Sequence, residues 1–79
     1  MNLTRVTRAI VHEAVYGGVI DSPFTVPDIV EHYDLDWGNF PNGANRAEQL
    51  VRNELNKHVE MDVLRRGERV GAWRTYWLV

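Results

Sequence analysis

The side chains best equipped for recognition in this chain are arginines and amides. Arg65, Arg66 and Arg69 fall within five residues in the stretch RRGERVGA (65–72), and Arg74 follows closely. Upstream, Asn45, Gln49, Arg52, Asn53 and Asn56 recur at spacings that, at about 100° per residue, share one side of a helix, with Arg46 and Lys57 flanking. A guanidinium offers a rigid fork of donors to phosphate or to guanine, and Asn and Gln bond adenine through two contacts. The chemistry these residues offer is hydrogen bonding and ion pairing with a polyanion.

Bond-making chemistry is poorly served. Cysteine is absent, the one serine, Ser22, precedes a proline, and the one lysine is Lys57, flanking the amide-bearing side of that helix. Asp34 and Asp36 flank Leu35 beside Trp37, where carboxylates usually shape a turn. His12, His32 and His58 show no metal-ligand spacing among themselves, and Glu54 and His58, four apart, read as a structural pair. Gly17-Gly18 fits neither a P-loop nor a dinucleotide fingerprint. No enzyme activity, metal or cofactor is expected.

Seventy-nine residues give one domain, 1–79, with a thin core. A hydrophobic content of 44% with 25% charged residues argues against disorder. Without cysteine or an apolar run near the roughly 18 residues of a membrane span, a cytoplasmic location is the expectation. The net charge of −2 is unevenly spread: residues 1–45 carry two basic and six acidic side chains, residues 46–79 seven and five. One half suits a polyanion while the other keeps the chain soluble.

Three helices must position these side chains. The first, within residues 2–16, carries Leu3, Val6, Ile10 and Ala14 at helical spacing, with Asn2 or Thr4 as cap and Gly17-Gly18 as stop. Val11 and Val15 widen its apolar face. Thr25, a proline in the first turn and Asp28 mark a short second helix, and Phe24-Thr25 or Val19-Ile20 suit a brief extended segment. A loop rich in Gly, Pro and Asn follows, with Trp37 and Phe40 expected to pin it to the body. The third helix spans about 45–58, with Ala47, Leu50, Val51 and Leu55 as its buried stripe. From Val59 the period becomes two: Val59, Met61 and Val63, then Trp73, Thr75, Trp77 and Val79, read as the inward faces of two strands, with Arg74 and Tyr76 outward and residues 65–71 as the hairpin tip.

Helix, short helix, loop, helix and two-stranded hairpin, in that order, resemble a small winged helix-turn-helix domain of the α+β class, over nearly the whole chain. The loop before the third helix exceeds the three or four residues usual for that family. The resemblance implies a third helix in the major groove of double-stranded DNA and a wing on the backbone. The site would comprise Asn45, Arg46, Gln49, Arg52, Asn53, Asn56 and Lys57 on the helix and Arg65, Arg66, Arg69 and Arg74 on the wing. A sequence-specific transcriptional regulator of prokaryotic or viral type is the first reading. A homodimer is expected through the first helix, since one such module buries little surface. The second reading is a winged-helix protein-interaction module, an adaptor or inhibitor, working through Asp21, Asp28, Glu31, Asp34 and Asp36. The acidic total favours it, because domains that grip DNA alone are usually basic.

Overall fold

A computed structural model describes residues 2–79 of the chain. Helix α1 (Leu3–Val11) starts where Asn2 Oδ1 accepts the backbone N–H of Arg5 at 3.1 Å, satisfying a donor that a helix start leaves open. It runs into a single π-helical turn, His12–Tyr16, and Gly18 reverses the chain at φ +75°. Helix α2 (Val26–His32) is set by the capping pair read from the sequence: the N–H of Thr25 donates to Asp28 Oδ2 at 2.8 Å. Helix α3 (Arg46–Glu60) is capped by Asn45, whose Oδ1 accepts the N–H of Glu48 at 3.0 Å. Strands β1 (Leu64–Val70) and β2 (Trp73–Leu78) form an antiparallel hairpin closed at Gly71, where φ is +63°.

Phe24 adds the brief extended segment. Its N–H donates to Tyr76 O at 3.0 Å and its carbonyl accepts from Tyr76 N at 2.7 Å, so β2 is paired on both edges at that point. Three helices followed by a C-terminal hairpin is an α+β arrangement consistent with a small winged-helix layout. No helix among the described residues is long and apolar enough to cross a membrane.

The core joins α1, α2, α3 and the hairpin base through Val11, Phe24, Ile29, Val51, Leu55 and Leu64, each no more than 2% exposed. Val11 and Val15 are spent inside this core, so the apolar strip offered for a second copy is not on the surface. Leu50 is half-buried rather than part of the buried stripe; Glu54 and His58 occupy the stripe instead. The extended chain does not begin at Val59. Helix α3 continues to Glu60, held at its end by Met61 N–H on Lys57 O at 3.1 Å and Asp62 N–H on Val59 O at 3.0 Å. Val59 packs on the core from the helix, and Met61 and Val63 are exposed, because five alternating residues are too few to end an established helix. Trp37 and Phe40, expected to pin this loop to the body, are half-buried but are not among the hydrophobics packed on the core; Arg46 secures their loop instead: its guanidinium donates to Trp37 O and Asn39 O and lies 5.0 Å from the Phe40 ring centroid.

A polar chain crosses the interface of the first and third helices. His58 Nε2 lies at hydrogen-bond distance from Glu54 Oε2, 2.9 Å, and His58 Nδ1 at hydrogen-bond distance from the Tyr16 hydroxyl, 2.6 Å. Lys57 adds a 3.6 Å contact to the other oxygen of Glu54. Burial, then the nearby Glu54 carboxylate, pushes the Tyr16 hydroxyl above its ordinary 10.0. Tyr33 is likewise raised by burial and by its hydrogen bond to Glu13. A raised folded-state value means this stabilisation is complete below pH about 10 and is lost as pH climbs through it. Tyr16→Phe is expected to cost about 1 kcal/mol at neutral pH. It should also flatten, without abolishing, the alkaline loss of stability, as read by urea denaturation between pH 7 and 11.

Candidate functional site

The hairpin register contains one irregularity. Arg66 pairs with Tyr76 and Arg69 pairs with Arg74, so Gly67 and Glu68 together oppose Thr75 alone. This is a β-bulge, and it decides where the arginines point. In an unbroken strand, residues three apart lie on opposite faces. The extra residue restores Arg69 to the face of Arg66 and, across the ladder, to that of Arg74 and Tyr76.

Two features lock the bulge. Thr75 Oγ1 donates to Glu68 O at 2.6 Å, and Arg74 Nη1 donates to Gly67 O at 3.2 Å. Position 67 has no room for a side chain: a Cβ there would sit 2.5 Å from both Thr75 Oγ1 and Trp77 Nε1. Glycine is required by close approach, not by an unusual dihedral angle.

The face so assembled turns toward α3. Asn56 joins the two elements, its Oδ1 accepting from Arg66 Nη2 at 3.1 Å and from the Tyr76 hydroxyl at 3.1 Å. Between helix and hairpin lies a cleft of about 460 Å³. Arg52, Arg66, Arg69 and Arg74 line it, with Asn56, Trp73, Tyr76, Ala72 and Val26 completing the walls. No carboxylate lines it, and among the described residues none of the four guanidiniums pairs with one. A smaller recess of about 180 Å³ shares Arg52 and Trp73 and runs toward the start of α3 past Asn45, Glu48 and Gln49.

The sequence-derived set is thus divided. Arg52, Asn56, Arg66, Arg69 and Arg74 gather at the cleft, and Asn45 and Gln49 flank its extension. Gln49 Nε2 donates to Asn53 Oδ1 at 3.1 Å along the exposed side of α3. Arg46 holds the α2–α3 loop, Asn45 caps α3, and Lys57 lies with Glu54, so these three have structural tasks. Arg65 pairs across the ladder with Trp77, away from the cleft. The tip is Gly71-Ala72, not residues 65–71: Arg65 and Arg66 lie near the hairpin base.

Tyr76 was expected outward and is instead 3% exposed, stacked on Phe24 with ring centroids 6.1 Å apart. Trp77, expected inward, is 45% exposed. With aromatics on both faces of β2, alternation alone could not say which side meets the body. Trp73 is the cleft residue that the sequence did not point to, while Tyr76, read as outward beside Arg74, reaches the cleft as a buried wall. No protein-family model, curated protein or solved structure matches the chain.

Arg69 and Arg74 face each other across the ladder, an arrangement that costs stability in the absence of an anion. Arg69→Ala should therefore leave the melting temperature unchanged or raise it. Gly67→Ala, which forces Thr75 or Trp77 to move, should lower stability by about 1–3 kcal/mol. Thermal and urea denaturation at low salt check both.

Proposed function

We propose that the protein is a small double-stranded DNA-binding module of the kind that regulates transcription. In this reading α3 meets the major groove with Gln49, Asn53 and Arg52, and the hairpin arginines hold the phosphate backbone. The observation that carries it is the cleft in which four arginines gather, without a carboxylate, on a chain whose total charge is negative. Concentrating positive charge at one place on an acidic protein raises the local concentration of a polyanion and fixes its orientation on encounter. Phosphate contacts position such a module, and amides on the adjacent helix face supply the donors and acceptors that discriminate bases.

A second reading draws on the other half. Asp21, Asp28, Glu31, Asp34 and Asp36 are all exposed. An acidic surface of this extent suits a basic protein partner, and the arginines would then serve solubility.

Selection from a random duplex library, followed by a salt titration of the enriched site, separates the two. The DNA reading expects an enriched sequence whose affinity falls steeply with salt. The double variant Arg52→Ala/Arg69→Ala should reduce the slope of log K against log salt by about two. Absence of binding even at low salt would leave the acidic surface as the functional one.

A further inference from the structure

We infer that the cleft between α3 and the hairpin is also a binding site for a free nucleotide carrying two or three phosphates. The phosphate chain lies among Arg52, Arg66, Arg69 and Arg74, and the base lies against Trp73. This inference does not depend on duplex binding.

Charge is the first ground. Arg69 and Arg74 oppose each other in the ladder, Arg66 is held toward them through Asn56, and Arg52 enters from α3. Surface arginines ordinarily spread out or pair with acids; here the bulge collects them, and no acid lines the space. A compact anion of several charges relieves this repulsion at once, whereas a single phosphodiester carries only one negative charge.

Size and wall chemistry are the second ground. About 460 Å³ is far more than one phosphate group needs and lies within the range of small-ligand pockets. Trp73 is half-buried and lines both the cleft and the adjoining recess toward Asn45, Glu48 and Gln49, so the one carboxylate nearby lies on the base side, away from the arginines that take the phosphates. An indole at the margin of an arginine cluster gives a base a stacking surface, and the amides beyond it offer donors and acceptors to the base edge.

The test is a titration of the full chain by calorimetry with ADP, AMP, adenosine and inorganic pyrophosphate in turn, without DNA. ADP should bind at least tenfold more tightly than AMP, adenosine should not bind measurably, and pyrophosphate should bind more weakly than ADP. Arg52→Ala/Arg69→Ala, which removes two cleft guanidiniums but none of the hydrogen bonds that hold the bulge, should lose ADP binding by tenfold or more while keeping its melting temperature. Trp73→Leu should weaken ADP but not pyrophosphate. Arg5→Ala/Arg8→Ala, which removes as much charge elsewhere, should bind ADP as the parent does. Failure of ADP to bind, equal binding of ADP and pyrophosphate, or equal loss in the two double-arginine variants would each overturn the inference. Because DNA is absent throughout, these outcomes are independent of whether the protein reads a duplex.

Discussion

The extra residue at Gly67-Glu68 is the constraint on which the candidate site depends. Strand geometry puts alternate side chains on opposite faces, so Arg66 and Arg69 would be divided between helix side and solvent side in a regular hairpin. The bulge places both on the helix side with Arg74, and the missing side chain at Gly67 makes room for Thr75 and Trp77 on the other face. The Thr75 hydrogen bond to the Glu68 carbonyl satisfies a backbone acceptor that the broken ladder leaves open. Charge clustering in this protein is therefore a backbone property first and a compositional one second.

That arrangement works against stability in a domain with little to spare. A chain of this length buries a small core, and it holds four like charges near one another. Two polar junctions tie the elements together in compensation. Asn56 joins α3 to the hairpin through Arg66 and Tyr76, and His58, between Tyr16 and Glu54, joins the first helix to α3. Both junctions lie on α3, which also supplies Val51 and Leu55 to the core. The helix that carries the amides is thereby tied to the first helix, the core and the hairpin at once.

Much of the fold was legible because it rests on local chemistry. Asn2, Thr25 with Asp28, and the glycines at 17–18 and 71 announce helix starts, a helix end and a turn through short-range bonds and backbone freedom. The order of helices and hairpin followed from those signals and from periodicity. The readings that failed concern faces and boundaries. Val59, Met61 and Val63 alternate in the sequence, yet α3 keeps its helix through Glu60, because an existing helix extends at little cost per residue. Tyr76 and Trp77 exchanged their expected sides because only tertiary packing against Phe24 and Asn56 decides between two apolar faces. Of the candidate site, the residue types were visible in the sequence, but their convergence was not, since it depends on one bulge and on contacts across the chain.

The central claim is that the bulge makes one anion site out of Arg52, Arg66, Arg69 and Arg74. The most direct measurement is a titration of the protein with inorganic pyrophosphate, following the Nε–Hε signals of all eight arginines by NMR. The account predicts that these four move together along one saturating curve, while Arg5, Arg8, Arg46 and Arg65 stay in place. Small shifts of similar size spread over every exposed arginine would contradict it, and would reduce the cluster to ordinary surface charge.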